Sequence, residues 1–445
     1  MTTKSLKILF VGRSTNQWPY HSTLLTCLAN AGVKLDVIYS PRWSKKGEIH
    51  IDSKKLDNIN SNINIIFGDL FSEKKLNFLY SFREFISACS FLYENNQPRF
   101  YFTRWLEFSG SFKYLPFWFL WLISNKITLH FLSIIQKFWS LQNLNSLNFK
   151  IDLTSYDCVI VQHQTMRFSI DNDIVLKAQQ SRVPVVGINY SWDCLYNKGL
   201  IHVEPDRFYC WNASQKTHLI KRHNFQEKNI IVSGSVFLDR WDLSNQKNNK
   251  IERRFIVIYG GSSSNIVNDE TMNILAVKEV INELNNELSL NLKFIFRPHP
   301  STNIFYSSKG ELDDIISASR IAGDGINSDY FDKNMSETLC VVGVNTSLFL
   351  DCIANKIPII SAVLPEAQEI GVCNRRQTSH FKQLNDYNLI KLSDDKEQLK
   401  ADIIEIINHR ENWLTKYSYE ANSFGITGNA SQKIKDDLFE FLSNN

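Results

Sequence analysis

Several patterns that would identify a class of protein are missing from this sequence. Its eight cysteines form no CxxC pair and no Cys/His cluster at metal-ligand spacing, so reduced thiols in a cytoplasmic protein are expected. The net charge of +3 over 445 residues is too small to indicate a nucleic-acid partner. These absences exclude a disulfide-rich secreted domain and a strongly basic nucleic-acid binder.

Long hydrophobic runs are also missing. The longest, YLPFWFLWLIS, extends from Tyr114 to Ser124 and is shorter than the roughly 20 residues that cross a bilayer. The opening MTTKSLKILFVG enters a strand pattern directly, which argues against a secretory signal. A cytoplasmic protein is therefore expected, with at most a peripheral contact at the cytoplasmic face of the membrane.

What the chain does contain is a repeated alternation of strand-like and helix-like segments. Short apolar runs such as KILFVG, YDCVIVQ, FIVIYGG and TLCVVGV are separated by segments with helical spacing. This pattern is typical of parallel sheets covered by helices on both faces. The sequence predicts an α/β protein with two Rossmann-like, doubly wound domains.

The domain boundaries are predicted from one polar stretch. DLSNQKNNKIERR, residues 242–254, has the composition of a linker. Residues 1–245 are predicted to form an N-terminal domain, residues 252–425 a second domain, and residues 426–445 a C-terminal helix. Because such sheets bind ligands at the carboxyl ends of their strands, the two domains are expected to face each other across a cleft.

Residues 99–140 do not follow this alternation. They are rich in Phe, Trp, Leu and Ile, with Arg104, Lys113, Lys126 and Lys137 between them. One or two helices inserted in the first domain are predicted. These helices could pack on the sheet in the ordinary way, or form an aromatic and basic surface that lies at a membrane interface near a lipid-linked acceptor.

Three strand ends in the second half carry polar residues suited to phosphate. The first is GGSSS, which follows the strand FIVIY. Glycine allows close backbone approach, and Ser262 and Ser263 offer hydroxyl donors. A simple Gly/Ser turn is the alternative, because neither GxGxxG nor a P-loop lysine is present.

The second strand end is RPHP, residues 297–300. Each proline restricts its own φ and biases the preceding residue towards an extended conformation, so Arg297 and His299 are held out of the helical region. Arginine makes bidentate contacts with phosphate, and a neutral histidine can donate one hydrogen bond. The alternative is a histidine that only caps a strand end.

The third strand end is VVGVNTSLFLD, where a helix is predicted to begin near Ser347. Thr346 and Ser347 lie at this helix start, where hydroxyls cap the helix and anions bind. Asp351, about one turn later, could accept hydrogen bonds from a ribose diol or could be a solvent-facing acid. Three such ends on one sheet predict a nucleotide site more strongly than any one alone.

In order and spacing, these motifs resemble those of bacterial surface-polysaccharide transferases with the GT-B fold. RPHP followed by NTS, an acid and KIPII is similar to sialyl-, Kdo- and polyol-phosphate transferases. The likeness covers residues 156–381, through NYSWDCLYNKG, VSGSVFLDRW and RQTSHF, whereas the first 150 residues match only in fold. The resemblance implies a nucleotide-sugar donor on the second domain and an acceptor on the first.

Carried over position by position, the resemblance implies the donor-binding residues Ser262, Ser263, Arg297, His299, Thr346, Ser347, Asp351 and His380. Retaining enzymes often carry a glutamate eight residues before the ribose-binding acid, and Gly343 occupies that position here. An inverting reaction is therefore expected. A DxD metal signature is not evident either, so neither a metal nor another cofactor is expected.

An inverting transfer needs a base for the acceptor hydroxyl and a group that stabilises the leaving phosphate. Three residues of the first domain are candidates for the base. His21 follows the first strand, His163 follows YDCVIVQ, and Asp193 lies in SWD after VPVVGIN. Each has a structural alternative: a helix N-terminal residue for His21, a satisfied strand-end residue for His163, and a helix cap for Asp193.

The expected function is transfer of a sugar from a nucleotide-activated donor to a bacterial surface glycan of the O-antigen or capsule type, on a glycan or lipid-linked acceptor. A polyol-phosphate transferase that uses CDP-glycerol or a relative would share the HP and Ser/Thr features. A nucleotide-sugar 2-epimerase also has two Rossmann-like domains, but the sequence shows no dense set of acids and histidines for it. A non-catalytic glycan- or nucleotide-binding protein is the remaining alternative.

Overall fold

The computed structural model describes residues 5–39, 60–68, 70, 77–94, 99–144, 147, 149–241, 255–262, 270–299, 337–365, 376 and 378–444. The chain divides into two compact units. Unit 1 comprises residues 1–240 together with 427–445, and unit 2 comprises residues 241–426.

Unit 1 is built on a parallel sheet. Its described strands are β1 Lys7–Gly12, β2 Lys34–Tyr39, β3 Ile63–Phe67, β4 Cys158–Val161, β5 Val185–Ile188, β6 Arg207–Cys210 and β7 Ile230–Val232. They pair in the order β3-β2-β1-β4-β5-β6-β7, and every pairing is parallel. Strand order reverses between β1 and β4, the kind of position where doubly wound sheets bind ligands.

Helices cover both faces of this sheet. They are α1 Ser22–Asn30, α2 Asn77–Tyr93, α3 Arg99–Glu107, α4 Phe117–Ile123, α5 Lys126–Leu144, α6 Asp171–Gln180, α7 Cys194–Asn197, α8 Ala213–His223 and, late in the chain, α14 Ala430–Ser443. Ile8 and Phe10 pack on one face of β1, and Leu9 and Val11 pack on the other. Because successive side chains point to opposite faces, the strand is an uninterrupted apolar run.

Unit 2 contains a second parallel sheet. Its described strands are β8 Ile256–Gly260, β9 Lys293–Arg297, β10 Thr338–Gly343, β11 Ile359–Ala362 and β12 Ile390–Ser393, in the order β12-β11-β10-β8-β9. Its described helices are α9 Thr271–Leu288, α10 Leu348–Ala354, α11 Ser379–Asp386, α12 Lys396–Asn408 and α13 Arg410–Phe424. Strand order reverses between β8 and β10. The predicted α/β class with two doubly wound sheets is confirmed.

The inserted segment differs from its prediction in detail. Residues 99–140 contribute to three helices, α3 to α5, rather than one or two. Pro116 caps α4 in an extended conformation, and the Asn125 carboxamide caps α5 by accepting the Thr128 N–H at 3.0 Å. In the described part of the chain, no single helix is long and apolar enough to cross a membrane. Only α4 and α5 taken together pass that test, and they are bent by 88° at their junction.

Candidate functional site

The ends of β8, β9 and β10 meet at one edge of the unit 2 sheet. Gly260, the last residue of β8, pairs with Arg297 of β9 on one side and with Gly343 of β10 on the other. The Gly261 N–H donates to the Arg297 carbonyl oxygen at 2.9 Å. The structure therefore brings together three strand ends that are spread over 83 positions of the sequence, from Gly260 to Gly343.

This edge is too tightly packed for larger residues at its two glycines. A Cβ at Gly343 would lie 2.6 Å from the Gly260 carbonyl oxygen, and a Cβ at Gly260 would lie 2.9 Å from Leu348 Cδ2 and 3.3 Å from the Thr346 methyl group. The backbone of one strand end thus touches the next without side chains between them. Such close approach of two strand ends requires residues without a side chain.

Ser262 is held in this edge by two contacts. Its hydroxyl oxygen accepts the Asn345 N–H at 3.4 Å, and its own N–H donates to Glu270 Oε1 at 2.7 Å. Glu270 stands directly before α9 and is buried. Sequence reasoning missed Glu270. Ser263 lies outside the described residues.

Arg297 is the last residue of β9 and His299 lies two residues beyond it, and both are half-buried. Burial, followed by the positive charge of Arg297, lowers the pKa of His299 below its ordinary value. His299 is therefore neutral at pH 7 and can donate one hydrogen bond while accepting another.

The third strand end leads into α10. Thr346 is buried and its hydroxyl oxygen accepts the Leu348 N–H at 3.3 Å, whereas Ser347 is exposed at the helix start. Asp351 Oδ1 accepts the indole N–H of Trp241 at 3.0 Å. Asp351 is thus oriented by an aromatic side chain rather than being a plain solvent-facing acid.

His380 lies in α11 and is buried, with Nε2 3.5 Å from the Thr378 hydroxyl. A neighbouring residue, Arg376, is joined to the strand-end edge more directly. Arg376 Nε donates to the Ser361 hydroxyl at 2.9 Å, and that hydroxyl donates to the Val344 carbonyl at 2.7 Å. Ser361 pairs with Gly343, so Arg376 is anchored beside the same edge. The RQTSHF motif pointed to this loop, but Arg376 itself was missed.

In unit 1, His21 is a core residue with both ring nitrogens engaged. Nδ1 lies 3.1 Å from Gln162 Oε1, and Nε2 lies 2.6 Å from the Tyr39 hydroxyl. Because the amide oxygen can only accept, Nδ1 carries the proton and Nε2 accepts from Tyr39. Burial lowers the pKa of His21 to about 3, so the ring is neutral at physiological pH.

His163 follows β4 at the position where strand order reverses. It is buried against Tyr190, with ring centroids 4.6 Å apart, and within the described residues neither of its ring nitrogens has a hydrogen-bond partner. Burial, and then the positive charge of Arg13, lowers the pKa of His163 well below its usual value. It is a neutral imidazole beside a small cavity that Gly12, Arg13 and Asp171 also line.

Asp171 fixes the backbone next to His163. Its Oδ2 accepts the N–H groups of His163 at 2.7 Å and Gln162 at 3.1 Å. Burial raises the pKa of Asp171 to about 6, although these two hydrogen bonds act in the opposite direction. Asp171 was missed because its motif, DNDI, looks like an ordinary acidic helix start.

Asp193, the third candidate base, makes hydrogen bonds with residues close to it in the sequence. Its carboxylate accepts the Ser191 hydroxyl at 2.6 Å and the Asn197 amide at 2.8 Å, and Lys198 Nζ lies 3.6 Å away. These are the local contacts of a residue that shapes the turn before α7. In the described residues, no group of three or more His, Cys, Asp or Glu side chains is arranged to hold a metal ion.

The chain was compared with protein families, curated proteins and solved structures. No protein-family model and no curated protein matches the chain. Among solved structures, a putative UDP-N-acetylglucosamine 2-epimerase from Listeria monocytogenes has a TM-score of 0.57 and 10% identity, over 99% of this chain and 98% of its own. UDP-GlcNAc 2-epimerase from Neisseria meningitidis bound to UDP-GlcNAc has a TM-score of 0.53 and 12% identity, over 98% and 100%.

A glycosyltransferase from Rickettsia africae ESF-5 has a TM-score of 0.50 and 11% identity, over 99% of this chain and 100% of its own. At these identities the likeness shows the fold alone. That fold is the two-domain GT-B fold, in agreement with the class predicted from the sequence. The RPHP and NTS motifs gain no support from the comparisons.

Proposed function

We propose that this chain is an enzyme of the GT-B fold that acts on a nucleotide-activated sugar. The observation that carries the proposal is the joined edge of unit 2, where the ends of β8, β9 and β10 meet. A glycine turn, an arginine, a neutral histidine and hydroxyl side chains belong to this one edge. A pyrophosphate is bound by donors of these kinds and by backbone that approaches closely.

The proposed nucleotide contacts follow from this edge. Arg297 and His299 are proposed to bind the phosphate that leaves the sugar, since one carries a fixed positive charge and the other a neutral donor. The other positions proposed to bind the nucleotide are Ser262, Ser263, Thr346, Ser347, Asp351 and His380.

His163 is the proposed acid–base residue of unit 1. It is neutral, and no other described residue occupies its ring nitrogens, so it can accept a proton from a substrate hydroxyl or carbon. His21 and Asp193 rank below it because their polar atoms already have partners inside unit 1.

Two reactions are compatible with such a site, and we put 2-epimerisation of a nucleotide sugar first. The structures from Listeria and Neisseria carry that name, and the fold extends over nearly the whole of each chain. Sugar transfer to a surface glycan is the second candidate. It is supported by the RPHP and NTS motifs and by the Rickettsia glycosyltransferase.

Incubation of the purified chain with UDP-N-acetylglucosamine and a panel of other nucleotide sugars separates these reactions. Epimerisation gives a new sugar signal by NMR while the nucleotide stays attached. Transfer releases the nucleotide only when an acceptor glycan is present, and consumption of CDP-glycerol would indicate a polyol-phosphate transferase. Thermal stabilisation without turnover indicates a binding protein, and the absence of both contradicts the proposal.

Arg297→Ala tests the nucleotide edge directly. Loss of a charge-assisted contact is expected to weaken binding of the nucleotide by about 10- to 100-fold, measured by calorimetry. Lys293→Ala is the matched control, because Lys293 is an exposed cation at the opposite end of the same strand. Equal losses in both variants would show that general charge, rather than the edge, attracts the nucleotide.

A further inference from the structure

Helix α5 exposes an apolar stripe. Large apolar side chains recur at helical spacing along its solvent side: Ile127, Phe131, Ile134, Phe138 and Leu141, with Ile127 83% exposed. Spacings of three and four residues place these side chains on one face of the helix. An amphipathic helix of a soluble domain normally turns such a stripe inward.

The opposite side of α5 explains why the stripe stays outside. Gln136 and Ser140 are buried there, and their side chains are joined by a 2.7 Å hydrogen bond. Arg83 of α2 donates to the Ser140 hydroxyl at 2.9 Å and forms a buried ion pair with Asp173 of α6. Rotation of α5 would bury its apolar stripe only by breaking this polar network, so the rotation is fixed.

Helix α4 continues the exposed apolar character. Trp118 and Trp121 are each 67% exposed, and Leu122 is exposed beside them. We call the exposed apolar side chains of α4 and α5 the α4–α5 face. Tryptophan is enriched where an aromatic ring can sit among lipid headgroups. Patches of this kind mark a surface that is covered in the functional state.

The charge around the α4–α5 face indicates what covers it. Residues 108–151 contain four lysines and not one Asp or Glu. Lys126 and Lys137 are exposed on α5 itself, and Lys113 is exposed just before α4. An apolar helix face in a segment with four lysines and no acid matches a surface that combines hydrocarbon with negative charge, which is the surface of an anionic bilayer.

We propose that the α4–α5 face binds the interface of a membrane containing anionic lipids. The 88° bend between α4 and α5 and the buried polar residues of α5 fit helices that lie in the interface rather than cross it. The apolar side chains enter the headgroup region, and the lysines contact lipid phosphates. This inference does not depend on the proposed reaction.

Sedimentation of the whole chain with lipid vesicles tests the proposal. The chain is expected to bind vesicles of phosphatidylcholine mixed with phosphatidylglycerol, and to bind pure phosphatidylcholine more weakly. Phe131→Ser with Phe138→Ser is expected to reduce binding by about tenfold or more per residue. Lys126→Gln with Lys137→Gln is expected to reduce it by about fivefold per lysine.

Tyr419→Ser is the matched control, since Tyr419 is 73% exposed but belongs to unit 2. All variants are expected to keep the wild-type Tm, because the changed side chains are exposed.

Absence of vesicle binding, or binding by the α5 variants that equals that of the unchanged chain, overturns the proposal. Concentration-dependent dimers that the same variants abolish, without vesicle binding, would identify a second copy as the occupant and overturn it too. Nucleotide-sugar turnover is measured separately and decides only the proposed function.

Discussion

At the scale of the residue, His21 and His163 show how the same side chain takes different roles in one corner of unit 1. Both ring nitrogens of His21 form hydrogen bonds, one with Gln162 and the other with Tyr39. His163 packs its ring on Tyr190, and the described residues leave both its nitrogens without a hydrogen-bond partner. The first arrangement is that of a structural histidine, and the second belongs to the residue that we propose for acid–base chemistry.

Substitution separates these two roles. His163→Gln is expected to lower turnover by about 10²- to 10⁴-fold with little change in Tm, because it removes an acid–base group without breaking a hydrogen bond of the ring. His21→Ala is the comparison. It leaves the Tyr39 hydroxyl and the Gln162 amide unpaired in the core and is expected to cost about 2–5 kcal/mol in urea unfolding. If His163→Gln instead lowered stability and His21→Ala lowered turnover, His163 would be the structural residue and His21 the acid–base residue.

Sequence reasoning could name these histidines but could not tell them apart. Both follow predicted strands, and a histidine at a strand end fits either a core residue or a catalytic one. The distinction depends on Gln162, 141 positions from His21 along the chain, and on Tyr190 beside His163. Asp193 lies in the SWD motif, and its carboxylate contacts Ser191, Asn197 and Lys198, which are close to it in the sequence.

At the scale of the element, the strand ends of unit 2 depend on two glycines that touch each other's backbone. Gly343→Ala would place a methyl group 2.6 Å from the Gly260 carbonyl oxygen. Backbone cannot move aside as easily as a side chain, so a loss of about 1–3 kcal/mol is expected.

Thermal unfolding with and without added nucleotide measures this effect, and stabilisation by the nucleotide should fall as well. Gly68→Ala is the control, because a Cβ at Gly68 would meet nothing within 4 Å. Equal Tm values for the two variants would show that the edge adjusts without cost.

Arg83 joins helix α5 to a buried ion pair of unit 1. Arg83 of α2 makes two hydrogen bonds with Asp173 of α6, at 2.7 and 2.9 Å, and also reaches Ser140 of α5. Asp173→Ala is expected to destabilise the chain by about 3–5 kcal/mol, because it strands a buried guanidinium.

Arg83→Met combined with Asp173→Leu removes both charges, so it should recover most of that stability in urea unfolding. If the double variant were as unstable as Asp173→Ala, the loss of stability would come from the lost hydrogen bonds of Arg83 and Asp173 rather than from an unpaired buried guanidinium.

The positions of the strands in the sequence were easier to predict than the order in which the strands pair. Each described strand lies in an apolar run that is visible in the sequence. The run is clearest in central strands such as β1, β4 and β10, which are buried on both faces. The order of the strands depends on pairing between distant segments, such as β1 with β4, and the local sequence pattern does not predict this pairing. The third inserted helix was missed because Pro116 and Asn125 divide an apolar run that composition alone reads as continuous.

At the scale of the whole molecule, buried histidines make unit 1 sensitive to acid. Burial lowers the pKa of His21 to about 3 and holds the pKa values of His163 and His223 well below normal. In the unfolded chain these groups take up protons below about pH 6.5, whereas the folded chain does not. Their stabilisation is therefore full above pH 6.5 and is lost as the pH falls.

Two buried carboxyl groups act in the opposite direction. Burial raises the pKa of Glu84 to about 8 and that of Asp171 to about 6, so the folded chain holds protons there that the unfolded chain releases. Each group changes stability by about 1.4 kcal/mol per pH unit within its window. Burial also lowers the pKa values of His202 and His218 to about 3, so five buried histidines outweigh these carboxyl groups. The urea midpoint is therefore expected to fall as the pH is lowered from 7 to 5. An unchanged or rising midpoint would contradict this balance.

The return of α14 to unit 1 has a consequence for how the chain is made. Ile434 and Leu438 complete the core around Ile8 and Phe10, and the Asp239 carboxylate accepts the first N–H groups of α14. Unit 2 is therefore an insertion within unit 1, so a ribosome must synthesise all of unit 2 before unit 1 can close its core. Unit 2 can fold as it emerges, whereas unit 1 keeps the apolar surface that α14 covers exposed until α14 leaves the ribosome.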